Sequence, residues 1–318
     1  MLSELEKSIL AAVVYFDIFD YPLTELEISK WLYCEYKRAG YSFSQIQSAL
    51  IEPNLQKRLS SDKGFYFLPS RERIVDLRVK NYKNAERKFR KAVRFVKLLH
   101  LIPFIKMVAV CNSLAFSNAG DFSDIDFFII TKRKRIFLAR LWANFLPKLL
   151  GLRPTRSDTQ DKLCLTIFIS EDKLDISSLK LIPADIYLTY WVSQIMPVYD
   201  SKEYYNRFLQ ANHWALDHFA NFIPYQPSYR RQVKDNWLSK LIRLIGGMAS
   251  WGLLGWVQEL LAKKIQLRIL PEKLRQVANK DTSVVINDQV LKFHDNDRRG
   301  KFQDMFEKKM ATIVKEND

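Results

Sequence analysis

Two aspartates, Asp124 and Asp126, flank a single isoleucine at the start of the apolar run 127–130. The run predicts a buried strand, and because side chains alternate along a strand, both carboxylates would lie on one face of it. Two carboxylates held side by side repel each other unless a cation binds between them, and oxygen ligands of this kind suit Mg²⁺. The pattern therefore indicates a divalent-cation site such as phosphoryl transfer requires.

A loop of small and turn-forming residues, NSLAFSNAGDFS, leads to the aspartates from a short apolar strand predicted over 105–111. Ser113 lies near the start of this loop, and ten residues separate it from Asp124. A hydroxyl and backbone N–H groups beside a helix start can hold phosphate oxygens. The spacing thus places a possible phosphate-binding loop next to the predicted cation site.

The stretch NSLAFSNAGDFSDIDFFII resembles the signature of the DNA polymerase beta-type nucleotidyltransferase superfamily, which is Gly-Ser, about ten residues and then Asp-x-Asp. Together with KLCLTIFISED and LKFHDNDRR, it resembles a group of bacterial proteins that carry a nucleotidyltransferase domain behind a winged-helix-like N-terminus. The resemblance implies that Asp124 and Asp126 are the catalytic ligands of Mg²⁺ or Mn²⁺. It also implies that Ser113 holds the terminal phosphates of a nucleoside triphosphate.

Three positions depart from the family pattern. Asn112 and Ser117 stand where the family has loop glycines, which allow close approach to phosphate or a positive φ, a conformation that asparagine tolerates well. Many active members add a third carboxylate from a later strand, but the strand predicted over 163–170 contains none. Four acids flank that strand without being placed by the motif: Asp158, Asp161, Glu171 and Asp172.

Two functions follow from this pattern. The leading hypothesis is Mg²⁺-dependent transfer of a nucleoside monophosphate from a triphosphate to an unidentified acceptor hydroxyl. The alternative, favoured by the missing carboxylate and glycines, is a catalytically degenerate fold that binds nucleotide or RNA or serves as a protein-interaction module.

Basic and polar residues elsewhere offer further candidates. The basic run 132–135 follows the second strand directly and is either a charged turn or a contact for the triphosphate or the acceptor. Within it, Arg135 is the residue predicted to contact the nucleotide. Arg140 lies about one helical turn further on and could support the same site. The cluster in 291–299 combines His294, Asp295, Asp297 and Arg298 but has no serine or cysteine nucleophile beside it, so it is interpreted as structural.

Residues 1–70 match a winged-helix pattern. Helices are predicted over 3–17, from Thr24 to about Tyr33 and from about Ser44, followed by a hairpin around the turn 62–64. This unit carries a net charge of −2, and its third helix has only Lys57 and Arg58, near its end. Such a surface neutralises phosphates poorly, so packing on a neighbour is favoured and DNA binding is not expected.

A long connecting helix is predicted over 71–101, and residues 71–106 carry a net charge of +9 out of the chain's +15. Arg87, Lys91 and Arg94 share one face, and Lys83 and Lys88 flank it. The face is either a solvated surface or, over 83–97, a contact for RNA or another polyanion such as nucleotide phosphates.

The whole chain is predicted to be an α/β protein of the α+β type, with a small mixed-sheet core over 102–200 and a helical C-terminal region over 201–318. The apolar run 244–257 is too short to span a membrane, so it is interpreted as a buried helix pair or a flat helical face, or else as a membrane-surface segment. The three cysteines have no metal-ligand spacing, and the N-terminus has no signal-peptide pattern. Both features favour a cytoplasmic setting.

Overall fold

The protein is described by a computed structural model that covers residues 2–35, 40–149 and 163–315. The helices are α1 (Glu4–Asp17), α2 (Glu25–Lys30), α3 (Phe43–Leu50), α4 (Pro53–Gln56), α5 (Arg73–Leu99), α6 (Asn112–Ala115), α7 (Ile136–Leu149), α8 (Ile186–Gln194), α9 (Tyr204–Ala211), α10 (His213–Leu216), α11 (Trp237–Met248), α12 (Gly252–Arg268), α13 (Glu272–Val277) and α14 (Arg299–Lys315). The strands are β1 (Ser60–Asp62), β2 (Phe65–Phe67), β3 (Ile105–Val110), β4 (Ile125–Thr131), β5 (Leu163–Ser170), β6 (Met196–Asp200), β7 (Val284–Ile286) and β8 (Val290–Phe293).

A mixed sheet with the strand order β6-β3-β4-β5-β8-β7 forms the centre of the molecule. β4 and β5 are parallel, and every other neighbouring pair is antiparallel. The parallel pair is joined through α7, which is the crossover that a parallel connection requires. The predicted mixed α and β class with a mixed sheet is therefore confirmed.

Each face of this sheet is covered by helices. Ile125, Phe127 and Ile129 of β4 pack in one apolar core with α5 and α7. Phe128 and Ile130 point the other way, into a core with α8 and α9. Because the central strands are covered on both sides, they are continuously apolar, and a charged side chain among them needs a specific partner.

The C-terminal region is not wholly helical, which corrects the sequence prediction for 201–318. β7 and β8 form a hairpin around Asn287 and Asp288, and β8 pairs with β5 through contacts such as Phe168 with Leu291. The hairpin covers an edge of β5 that would otherwise expose unpaired backbone groups. The core sheet predicted over 102–200 is therefore completed by two strands from 284–293, well beyond its predicted end.

The N-terminal elements match the predicted three helices and hairpin. Lys63 and Gly64 both have positive φ, of 52° and 80°, which suits the tight turn of a two-residue hairpin. The apolar core of this unit is shared with distant segments, since it includes Ile186, Tyr190 and Phe219 and is packed by α14. The N-terminal unit is thus built into the rest of the described chain.

The full-length protein is expected to bind duplex DNA no more tightly than about micromolar at physiological salt, the range of non-specific binding. Of the two basic residues near the predicted third helix, Arg58 is buried and donates to the carbonyl oxygens of Asn54 and Ile313, so only Lys57 is exposed. Fluorescence anisotropy with mixed-sequence duplexes, on wild type and Lys57→Glu, measures this. Submicromolar, salt-sensitive binding that Lys57→Glu abolishes would contradict it.

Candidate functional site

The two aspartates lie at the start of β4, where the strand leaves the loop 116–124. Asp126 shares the strand face of Phe128, directed toward α8, whereas Ile125 packs in the opposite core. Asp124 and Asp126 are both half-buried, and the charge of Asp124 acts on Asp126. The structure therefore brings the two predicted metal ligands together at one end of the parallel strand pair.

Asp126 carries a negative charge that the protein compensates only weakly. Burial raises the pKa of this carboxyl and repulsion from Asp124 adds to the rise, while hydrogen bonds from Asn112 and Cys164 oppose it. No lysine or arginine within the described ranges forms an ion pair with Asp124 or Asp126. A half-buried pair of like charges without a cationic partner is an arrangement that a bound cation would relieve.

Asn112 lies between Asp126 and α8. Its Oδ1 accepts hydrogen bonds from the Tyr187 hydroxyl, at 3.1 Å, and from Trp191 Nε1, at 3.0 Å. With the amide oxygen bound to two donors, the amide nitrogen is left to donate to Asp126. Asn112 therefore connects the aspartate pair to α8, a role that sequence spacing does not indicate.

Both positions that depart from the family glycines keep a left-handed backbone. Asn112 has φ of 56° and Ser117 has φ of 59°. This conformation is uncommon for residues other than glycine, and asparagine adopts it more readily than most. The loop therefore has the backbone geometry expected of glycines at these two positions, although the side chains differ.

The loop is anchored on α5 by two buried polar residues. Asn81 donates to Asn118 at 2.8 Å, and Asn118 in turn donates to the carbonyl of Phe19 at 2.8 Å. Lys88 Nζ donates to the carbonyl oxygens of Ser123, at 2.6 Å, and of Asp121, at 3.2 Å. Lys88 was predicted to flank the exposed basic face, but it is fully buried and holds the segment that leads into Asp124.

Two cavities open on either side of Asn112. One, of about 370 Å³, is lined by Ser113, Asn118, Gly120 and Ser123 of the loop. The other, of about 200 Å³, lies between α8 and the segment 292–299. Tyr187 and Phe302, whose rings stack with centroids 5.3 Å apart, line both cavities together with Asn112. The predicted phosphate loop thus borders the larger cavity, whereas Asp124 and Asp126 line neither of these two cavities.

No third carboxylate joins the pair among the described residues. The β5 residue beside Asp126 is Cys164, and no group of three His, Cys, Asp or Glu side chains in the described ranges could hold a metal. Glu171 and Asp172 follow the opposite end of β5, roughly 20 Å away at strand spacing. There the Glu171 carboxylate accepts from the Arg133 backbone N–H, and Asp172 pairs with the Arg133 side chain. Asp158 and Asp161 lie outside the described residues.

Arg135 does not reach the site, in contrast to the sequence prediction. It follows the end of β4 that is remote from Asp124, and its Nη2 donates to the carbonyl of Ser250 at 3.0 Å. Arg140 likewise points away and donates to Gln266 at 2.7 Å. Both arginines bind α12 and its preceding turn, because α7 runs along that helix.

The segment 291–299 contributes Lys292, Asp297 and Arg299 to a buried polar network, whereas Asp295 and Arg298 of the predicted cluster are exposed. Arg299 is 5% exposed and pairs with Asp185 and Asp297, each at 2.7 Å, while Lys292 pairs with Asp297 at 3.0 Å. Burial and the nearby Lys292 lower the pKa of His294 to about 4, so this imidazole is neutral at pH 7. The network fixes the wall of the smaller cavity.

The basic face of α5 is exposed where it was predicted to be, at Arg87, Lys91 and Arg94. If this face contacts a polyanion such as RNA, reversing all three residues to glutamate should weaken that binding by about tenfold or more, because several phosphate contacts are lost, and should leave the melting temperature nearly unchanged. Filter binding to single-stranded RNA measures this, with Lys301→Glu and Lys308→Glu on α14 as a control. Lost stability with unaltered binding would show that the three side chains serve packing instead.

Comparison of the chain with protein-family models, with curated proteins and with solved structures finds no match. The protein is therefore classed by its own structure. It has a mixed α and β fold with a pair of carboxylates at the start of a central strand. None of its described helices is both long and apolar enough to cross a membrane.

Proposed function

We propose that this protein is a Mg²⁺-dependent nucleotidyltransferase that moves a nucleoside monophosphate from a nucleoside triphosphate to an acceptor hydroxyl. The observation that carries the proposal is the pair Asp124 and Asp126, two carboxylates on one strand face without an ion-pair partner within the described ranges. The left-handed backbone of Asn112 and Ser117 and the position of Ser113 in the larger cavity support a phosphate-binding role for the preceding loop.

The donor set fits Mg²⁺ shared with a substrate. Mg²⁺ commonly takes one or two carboxylates and completes its shell with water and substrate phosphates. Asn112 donates to Asp126, and Asp124 is half-buried where the loop enters β4. When bound, the ion would neutralise charge on the phosphates during transfer.

The protein's own residues would act mainly by positioning. The Ser113 hydroxyl would hold the terminal phosphates, and Lys88 would keep the segment 121–123 in place beneath them. The acceptor oxygen forms a bond to the α-phosphorus as the bond to the bridging oxygen of the β-phosphate breaks. Pyrophosphate then leaves, and the hydroxyl proton passes to solvent.

Calorimetric titration of the wild-type protein with ATP, GTP, CTP and UTP, each with Mg²⁺ and with a chelator, tests the binding step. Binding that requires Mg²⁺ is expected for at least one nucleotide. Pyrophosphate release in the presence of RNA, protein or small hydroxyl compounds then tests transfer. Absence of any nucleotide binding would contradict the proposal.

A second function, metal-dependent nucleotide binding without turnover, is favoured by Cys164. This residue lies beside Asp126 on β5, and a thiol there cannot replace a carboxylate as a Mg²⁺ ligand. Nucleotide binding that depends on Mg²⁺, with no pyrophosphate release from any acceptor class, would identify this second function.

A further inference from the structure

The hairpin formed by α11 and α12 has its apolar side outward. On α12, the buried residues are Gly255, Ala262 and Gln266, whereas Leu253 and Leu254 are 75% and 58% exposed. On α11 only Ser239 is buried. More than half of the exposed large apolar side chains of the described residues lie between positions 237 and 269. The sequence prediction of a buried helix pair over 244–257 is therefore wrong.

Polar side chains make many of the contacts that attach this hairpin to the body, while only Gly255 and Ala262 among the small apolar residues of α12 are buried there. The Glu259 carboxylate accepts from the backbone N–H groups of Phe137 and Leu138, both at 2.9 Å, and so caps the start of α7. Gln266 donates to the Phe137 carbonyl at 2.7 Å, and Arg243 donates to the Ile105 carbonyl at 2.9 Å. These contacts fix the two helices on the body of the protein with their apolar face toward solvent.

The outward residues form one continuous strip on each helix. On α11 they recur at positions 237, 241, 244, 245 and 248, which is the spacing of a single helical face. On α12 the strip runs from 253 to 265 and continues at Ile269. Trp237, Trp251 and Trp256 are all more than half exposed along it. Monomeric proteins rarely expose apolar patches of this extent without a partner.

The charged residues of the α11–α12 hairpin are almost all basic. Between positions 236 and 271 the only acidic residue is Glu259, which is turned inward, while the stretch contains five basic residues. Lys240, Lys264 and Arg268 are exposed, and by helical spacing Lys264 and Arg268 lie within the apolar strip of α12. The surface therefore combines apolar side chains, tryptophans and cations, and it lacks an exposed anion.

We propose that the α11–α12 hairpin binds the surface of a bilayer that contains anionic phospholipids, with its apolar strips inserted at the level of the headgroups. Helices of this composition bind membranes through apolar burial and attraction to anionic lipids, and tryptophan prefers the interface. Lys264 and Arg268 can extend from within the strip to the phosphates. In a contact between two copies of this hairpin, the same two cations would be buried without an acidic partner, which is costly.

Few segments of this chain outside the described residues could cover the apolar strips of α11 and α12. The longest segment outside the described residues, 150–162, contains only two large apolar side chains, Leu150 and Leu152. The neighbouring helix α7, which packs along α12, also exposes Trp142 and Phe145, by 43% and 48%. A membrane surface is broad enough to cover the hairpin and these two side chains together.

Co-sedimentation of the full-length protein with vesicles tests the proposal. Vesicles of phosphatidylcholine mixed with phosphatidylglycerol should bind the protein, and vesicles of phosphatidylcholine alone should bind it more weakly. Trp251→Ser with Leu254→Ser should lower the affinity by about tenfold for each side chain, because apolar burial is lost. Leu26→Ser with Ile51→Ser, at comparably exposed positions of the N-terminal unit, should leave binding unchanged.

Lys264→Gln with Arg268→Gln should reduce binding to the anionic vesicles and leave the weak binding to phosphatidylcholine nearly unaltered. Light scattering of the same samples reports self-association. The proposal is overturned if the wild type does not bind anionic vesicles, or if both serine pairs weaken binding equally. It is also overturned if the wild type is a dimer that the hairpin pair dissociates while vesicle binding is absent.

Discussion

Asp126→Asn is expected to lower the Mg²⁺-dependent affinity for nucleoside triphosphate by at least about a hundredfold. Loss of a residue that merely orients a metal ligand costs about 10–100-fold in metal affinity, so loss of the ligand's own charge should cost no less. The variant keeps the shape of the side chain, and its amide oxygen can still accept from Asn112. Isothermal titration with ATP, with and without Mg²⁺, measures the effect.

Asp121→Asn provides a matched control. Asp121 belongs to the same loop, but its side chain pairs with Lys80 on the surface. Its replacement removes one negative charge near the site without touching the carboxylate pair, so nucleotide affinity should stay close to that of the wild type. If ATP binding is indifferent to Mg²⁺ and to Asp126→Asn, the pair is not a metal site.

Asp126→Asn should also make the metal-free protein more stable than the metal-free wild type at neutral pH. The pKa of Asp126 is raised in the folded state, so ionisation of this carboxyl favours the unfolded chain. Wild-type stability should therefore fall, relative to Asp126→Asn, as the pH rises from about 4 through the raised pKa. Below that range both states hold the proton, and the two proteins should differ little in pH dependence. Urea unfolding across this pH range, with chelator present, reports the difference.

Arg299→Met is expected to destabilise the protein by about 3–5 kcal/mol, the usual cost of removing one partner from a buried ion pair. Arg299 holds Asp185, the N-cap residue of α8, and Asp297, and it also donates to the Leu179 carbonyl at 2.7 Å. Without the guanidinium, Asp185 would be a buried carboxylate without its cation. Lys292 would still pair with Asp297 and limit the loss on that side.

The neighbouring Arg298 supplies the control. It is exposed, so Arg298→Met should change the free energy of unfolding by no more than about 0.5 kcal/mol. Both variants lose one positive charge from consecutive positions, and a difference between them therefore reports burial and pairing. Equal midpoints in urea unfolding would show that the network around Arg299 contributes little to stability.

Several features could be predicted from the sequence because they depend on neighbouring residues. Strand alternation placed Asp126 on the face opposite Ile125, and the Lys63-Gly64 turn marked the hairpin through its need for positive φ. Helical periodicity located α5, and the exposed positions of Arg87, Lys91 and Arg94 followed from it. In each case the determining interactions lie within a few residues along the chain.

Only the tertiary structure decided which of several similar residues does what. Lys88 lies among the basic residues of α5, yet packing of the loop 121–123 on that helix buries it and uses its ammonium group. Arg135 follows the aspartate strand in sequence but lies at its far end. Arg298 and Arg299 are identical in type and adjacent, but only Arg299 is buried, where it pairs with Asp185 and Asp297.

The sequence by itself thus determined the secondary structure around the carboxylate pair and its shared strand face. The tertiary structure decided that Asn112 binds α8 beside Asp126, that Cys164 occupies the neighbouring position on β5, and that β7 and β8 complete the sheet. It also decided that the apolar run 244–257 faces outward. The physical reason is that periodicity shows which residues of an element share a face, whereas burial of that face depends on segments that are distant in sequence and meet only on folding.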